Sequence, residues 1–312
     1  MNACLARPLR PVPFSSPRPW AGTRLGDGIG ERWLAGPASL VALDDGSVAT
    51  LDELAARHGA ALVGSRGTER LPGRFPLLVK LIDAADWLSL QVHPTDEVAR
   101  RLYGPDAVGK AEAWVVLDVD PGARLVTGPR RDLAPEAVRA VIRAGTMGHA
   151  ECEAVEAAPG DVLNVRAGTI HAIGAGTFVY EVEQPSDLTF RISDWGRPAT
   201  AGRRLHIDEA LEAVDAAFHA VPLGTAWRLL GGALDTAHFR LEILQAGDAP
   251  HRAPAGRTPE VVTACGGAVI LEGDGWRETI EPLDALVVPA AVAAYRVLPG
   301  PGAHALIGSL PA

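Results

Sequence analysis

Three short stretches carry metal-binding and proton-moving side chains at spacings that strand packing alone does not require. They are Ser89-Leu90-Gln91-Val92-His93-Pro94, Gly109-Lys110-Ala111-Glu112-Ala113-Trp114 and Gly168-Thr169-Ile170-His171-Ala172-Ile173-Gly174. Successive strand residues point to opposite faces, so Ser89, Gln91 and His93 share one face while Leu88, Leu90 and Val92 share the other. By the same parity Lys110 and Glu112 lie together, opposite Ala111 and Ala113. His171 falls in a glycine-bounded turn entering the next strand, where a loop can close over an ion. Two imidazoles, one carboxylate and one amide oxygen make a mixed nitrogen and oxygen donor set that suits Zn2+ and leaves room for water or substrate. Without a thiolate among the donors such a centre keeps positive charge, as a Lewis acid must. The expected site is therefore one Zn2+ per chain held by Gln91, His93, Glu112 and His171.

The elements that must position these residues are mainly strands. Runs rich in Val, Leu and Ile alternate with Gly and Pro at Leu77 to Val92, Trp114 to Val119, Asp161 to Val165, Phe178 to Glu183 and Thr189 to Ser193, which predicts a β sandwich or barrel. Helices are expected to be short and peripheral. Leu51 to His58 stops at Gly59, Asp96 to Tyr103 follows Thr95 as N-cap, Pro135 to Ala144 opens on proline, and Ile207 to Asp215 leads toward the second half. A chain of 312 residues favours two domains. The expected division is 1–220 for a catalytic domain and 221–312 for a second sandwich without its own active site. Short strands recur there, from Phe239 to Ile243 through Ala294 to Val297, and His238, His251 and His304 read as solvated or structural.

Composition excludes several classes. A net charge of −9 offers no basic footprint for nucleic acid. No apolar run approaches the roughly 20 residues of a membrane span, and Met1 to Pro19 lacks the apolar core of a secretory signal. Cys4, Cys152 and Cys265 are odd in number and far apart, with no paired spacing that suggests a disulfide framework or a thiolate metal site. A cytoplasmic protein acting on a small molecule is expected. Among 29 basic residues only Lys80 and Lys110 are lysines, and Lys110 sits two residues from Glu112.

At these residues the chain resembles the type I mannose-6-phosphate isomerases, in their shorter bacterial form. The likeness runs from about residue 14 to 215. It rests on Trp20-Ala-Gly22, Gly30-Glu-Arg-Trp33, Phe75-Pro-Leu-Leu-Val-Lys80-Leu-Ile-Asp-Ala84, Leu88-Ser-Leu-Gln-Val-His-Pro94, Gly109-Lys-Ala-Glu-Ala-Trp114, Arg166-Ala-Gly-Thr-Ile-His-Ala172, Ser186-Asp-Leu-Thr-Phe-Arg-Ile-Ser-Asp-Trp-Gly-Arg197 and Leu205-His-Ile-Asp-Glu-Ala-Leu211. The resemblance implies tandem cupin (jelly-roll) domains with zinc in the first, ligated by Gln91, His93, Glu112 and His171. It also implies an active-site arginine at Arg191, a lysine near the sugar at Lys110 and a carboxylate base at Glu181. Ala111 and Ala113 depart from the bulkier residues usual in their motif, and Gly36 departs from the segment that usually leads into serine.

The implied reaction interconverts mannose 6-phosphate and fructose 6-phosphate, moving a proton between C2 and C1 through an enediolate. That chemistry needs a base, for which Glu181 stands on a carboxylate-bearing strand face, and a group to hold the developing oxyanion. Lys110 either donates a proton to the ring oxygen or balances charge at the metal. Arg191 suits a phosphate or an enediolate oxygen, Arg197 is a candidate phosphate contact, and Ser89 either binds substrate or orients Gln91. Two rival readings use the same donors: a metal-dependent cupin oxygenase and a non-catalytic sugar-binding cupin.

Overall fold

The computed structural model describes residues 5–198, 203–225, 233–248 and 256–311. The chain forms two compact units, one from Met1–Ser15, Arg32–Leu81 and Ala226–Ala312, the other from Ser16–Glu31 and Ile82–Thr225. Residues 32–81 group with the C-terminal segment. Two unit boundaries fall within the strands Ile29–Ala35 and Leu78–Ala84. The fold is mainly β, built from several sheets with short helices around them.

In the second unit those strands continue into a sheet ordered Thr177–Glu183, Glu112–Val119, Asp161–Val165 and Val221–Thr225. Smaller sheets join Ala172–Ile173, Arg124–Pro129 and Cys152–Glu156, and pair Phe190–Ser193 with Leu90–Val92. Alternation does the sorting. Leu90, Val92, Phe190 and Ile192 pack with Val138 and Ile142 of the helix Pro135–Arg143, which leaves Gln91 and Arg191 on the opposite face. Trp114, Val116 and Val179 belong to a second cluster with Leu163 and Val165. Glu112, Glu181 and Glu183 share the strand face of those apolar residues.

The unit containing the C-terminal segment carries a five-stranded sheet, Ala233–Asp235, Arg240–Gln245, His304–Ser309, Glu260–Cys265 and Ala285–Val288. A three-stranded sheet of Trp276–Ile280, Val269–Gly273 and Tyr295–Pro299 accompanies it, and Val262, Leu271, Leu286, Val297 and Ile307 fill a common apolar core. His251 and Cys4 lie outside the described residues. Burial pushes the Cys152 thiol up to about 12 and the Cys265 thiol up to about 11, so both stay protonated near neutrality.

Two local expectations differ from the structure. The run from Leu77 to Val92 is two strands, Leu78–Ala84 and Leu90–Val92, with a bend at residues 85 and 86, whose amides donate to the Trp20 carbonyl at 2.9 and 3.3 Å. A further helix, Ala60–Arg70, is interrupted at Gly64, whose φ of 73° lies outside the helical region; its internal glycines hid it from a propensity reading.

The helix Asp96–Tyr103 does more than cover the surface. Thr95 caps it by accepting from the Val98 amide, and Asp96 Oδ1 accepts from the Gly109 amide at 2.8 Å and from Gln184 Nε2 at 3.0 Å. The Lys110 amide donates to the Pro94 carbonyl and the Ala111 amide to Gln184 Oε1. The segment bearing Lys110 and Glu112 is thus strapped down before its strand begins. A Cβ on Gly109 would stand 2.5 Å from the Asp96 amide nitrogen and 2.6 Å from the Thr95 carbonyl carbon. Backbone cannot yield there as a side chain would, so Gly109→Ala is expected to destabilise the protein by about 1–3 kcal/mol, the usual cost of overpacking. A thermal melt checks this, and a midpoint equal to wild type would contradict the strap.

Candidate metal centre

Strand register brings the expected donors into rows. Gln91 and His171 exchange both backbone hydrogen bonds at 3.0 Å, and on its other side Gln91 pairs with Arg191. Directly paired residues project to the same face, so His171, Gln91 and Arg191 form one row. In the facing sheet Glu112 pairs with Glu183 and Trp114 with Glu181. His93 is held at the end of its strand by the Gly168 amide, which donates to its carbonyl at 2.8 Å.

The two histidines present their Nε2 atoms to each other at 3.2 Å. Each Nδ1 faces a backbone carbonyl, that of Leu188 for His93 at 2.9 Å and that of Thr169 for His171 at 2.8 Å. A carbonyl only accepts, so each Nδ1 carries the proton and each Nε2 turns a lone pair inward. Burial, with Lys110 nearby, pushes the His93 imidazole down to about 3, and burial lowers His171 as well, so both rings are neutral. Glu112 completes the set, its oxygens 3.2 Å from His93 Nε2 and 3.4 Å from His171 Nε2. These three ligand atoms lie within 4.8 Å of one another. The tautomers, the carbonyl partners behind each ring and the compactness are such that the three residues could hold a metal ion.

Charge points the same way. Lys110 Nζ lies 2.9 Å from Glu112, 2.8 Å from Glu183 and 3.9 Å from Glu181, and all four residues are buried. Burial opposes ionisation of Glu112, yet the Lys110 ammonium holds its carboxyl well below the usual range. Burial likewise opposes the Lys110 charge, and the three carboxylates raise it well above the usual amine value. Three carboxylates thus gather about one ammonium beside the two imidazoles. A divalent cation fits this donor set.

Gln91 differs from the expected arrangement. Its Nε2, not its oxygen, faces His171 Nε2 at 3.2 Å, while its Oε1 accepts from Ser89 Oγ at 3.3 Å. An amide nitrogen is no ligand, so ligation by Gln91 requires a half-turn of the amide. The Ser89 hydroxyl, able to donate or accept, serves either orientation. Ser89 thus touches Gln91 directly.

The arginines have partners of their own. Arg191 Nη1 donates to the Arg204 carbonyl at 2.9 Å, and its Nε lies 4.0 Å from Asp194. Arg197 is committed to Asp194 at 2.8 Å and Asp86 at 3.0 Å, and Arg203 donates to the same Asp194. Three guanidinium groups thus gather about one buried carboxylate. The turn that follows is held by Trp195, with φ of 56° and its indole donating to the Leu88 carbonyl. Glu181 receives the Trp114 indole N–H at 3.0 Å. Sequence reasoning missed Glu183 as a member of the cluster. Its parity with Glu181 was the available signal.

A family model described as the phosphomannose isomerase type I catalytic domain matches residues 24–112. Mannose-6-phosphate isomerase of Streptococcus mutans is 35% identical over 208 residues, 62% of this chain and 63% of that protein. The probable mannose-6-phosphate isomerase GmuF of Bacillus subtilis is 33% identical over 225 residues, 67% of this chain and 69% of that protein. The match therefore spans less than two thirds of the Streptococcus protein. Among solved structures, the mannose 6-phosphate isomerase from Bacillus subtilis superposes with a TM-score of 0.78 at 24% identity, covering 97% of this chain and 99% of that one. A zinc-bound holo mannose 6-phosphate isomerase gives 0.72 at 15% identity, covering 98% and 100%.

The neutral histidines make stability depend on pH. Between about 3, where His93 titrates in the folded protein, and its ordinary 6.5, the unfolded chain binds a proton that the native state refuses. Stability therefore rises with pH across that window and falls as pH drops below 6.5. Thermal melts of chelator-treated protein should show Tm declining steadily from pH 6.5 downward, and more shallowly in His93→Gln. Parallel pH profiles for the two proteins would contradict the buried neutral ring.

Proposed function

Because this chain belongs to the mannose-6-phosphate isomerase family, we propose that it interconverts mannose 6-phosphate and fructose 6-phosphate with one bound zinc ion. The observation that carries the proposal is the convergence of two imidazole lone pairs and the Glu112 carboxylate beside a second, independently held carboxylate, Glu181. His93, Glu112 and His171 would hold the ion, with Gln91 as a fourth ligand after its amide turns. Zinc bound there would polarise the sugar carbonyl and stabilise the oxyanion that develops as the proton moves.

The remaining steps fall to the chain's own side chains. Glu181 is the base that carries the proton between C2 and C1. The Trp114 indole fixes one of its oxygens, and the other lies toward Lys110. Lys110, charged and buried among carboxylates, supplies positive charge beside the reacting oxygens. Arg191, in register with Gln91, is assigned to the reacting end. Arg197 is assigned to the phosphate, for which it would exchange its exposed partner Asp86. Ser89 orients the Gln91 amide.

The two clusters of potential metal ligands among the described residues both lie within residues 82–225, so the chemistry is assigned to that unit and none to the unit bearing the C-terminal segment. No described helix is long and apolar enough to cross a membrane, and a cytoplasmic sugar-phosphate enzyme is the reading adopted.

A coupled assay with mannose 6-phosphate tests the proposal. Metal-replete protein should form fructose 6-phosphate, chelation should abolish the activity, and added zinc should restore it. Glu181→Gln should lower kcat by about 10²–10⁴-fold, the range of a positioned acid or base, with zinc content unchanged. No turnover by zinc-loaded wild type would overturn the function, and full activity in Glu181→Gln would overturn the base.

A further inference from the structure

Glu183 belongs to neither the donor triad nor the proton-transfer assignment, yet it has no exposed surface. It stands directly opposite Glu112 in the antiparallel pair, a position where like charges repel. The Lys110 ammonium lies between them, 2.9 Å from Glu112 Oε2 and 2.8 Å from Glu183 Oε2. A third neighbour of that ammonium is His93 Nε2, at 3.3 Å. Lys110 therefore reaches two of the three groups that would ligate a metal, and its ammonium competes with a divalent ion for the same lone pairs.

We propose that Glu183 is a positioning residue that sets metal affinity by drawing the Lys110 ammonium off His93 and Glu112. The inference rests on the metal reading above and adds a residue to it. Glu181 does not replace Glu183 in this task, because its Oε1 is 3.9 Å from Nζ and its Oε2 is taken by the Trp114 indole. Neutralising Glu183 has two consequences of one sign: the pocket loses a negative charge, and Glu112 becomes the nearest carboxylate of the ammonium. Removing Lys110 together with Glu183 takes away the competitor and its holder at once and leaves the net charge of the pocket unchanged.

The test is zinc affinity of the full chain, stripped with chelator and titrated against a chromophoric competitor, for wild type, E183Q and K110M/E183Q. Circular dichroism confirms the fold of each. E183Q should bind zinc at least about tenfold more weakly, as substitutions behind metal ligands do. K110M/E183Q should return to within about threefold of wild type, the signature of coupled residues in a double-mutant cycle. Wild-type affinity in E183Q, or a double mutant as weak as E183Q, would overturn the proposal, since a merely structural role is not rescued by a second substitution. If E183Q does not fold, the double mutant against wild type decides: equal affinity supports the proposal and a tenfold loss overturns it. Wild type that binds no zinc would instead overturn the metal reading itself.

Discussion

A buried pocket gathers three carboxylates around one ammonium, and the architecture around it can be understood from how those groups are held together. Glu112, Glu181 and Glu183 all face the interior with Lys110, and two neutral imidazoles aim lone pairs at the same point. In water such a collection would disperse. Here the antiparallel pair that carries the acids cannot separate them without losing its register, and the strand carrying Gln91 is bonded on both edges. A rigid frame that forces acceptors together is a site prepared for a cation.

Division of labour among the supporting contacts follows from that constraint. Backbone carbonyls of Leu188 and Thr169 choose the histidine tautomers, Trp114 orients Glu181, and Asp96 with Gln184 fixes the loop before Glu112. Asp194 gathers Arg191, Arg197 and Arg203 into a separate basic group. Acidic metal pocket and basic group lie on connected strands, which suits a substrate with a reactive carbonyl at one end and a phosphate at the other.

Much of this was legible in the sequence, and the limits have physical causes. Strand parity alone placed Ser89, Gln91 and His93 on one face and Lys110 with Glu112, and capping signals located the helix Asp96–Tyr103 to the residue. What sequence could not convey depends on pairing between distant strands. That Glu183 stands opposite Glu112, and that Asp194 and Asp86 both claim Arg197, are facts of register and tertiary approach with no local signature. The amide orientation of Gln91 is of the same kind, since either end of the group satisfies the same parity. The grouping of residues 32–81 with the C-terminal segment was hidden because a strand's own residues do not reveal which unit it belongs to.

Anomalous diffraction at the zinc edge, from crystals of active protein, tests the central claim most directly. The account predicts a single strong peak about 2.0–2.2 Å from His93 Nε2, His171 Nε2 and a Glu112 oxygen, the distances zinc takes with nitrogen and carboxylate ligands. Active protein whose metal lies elsewhere, or whose three side chains surround no ion, would contradict it.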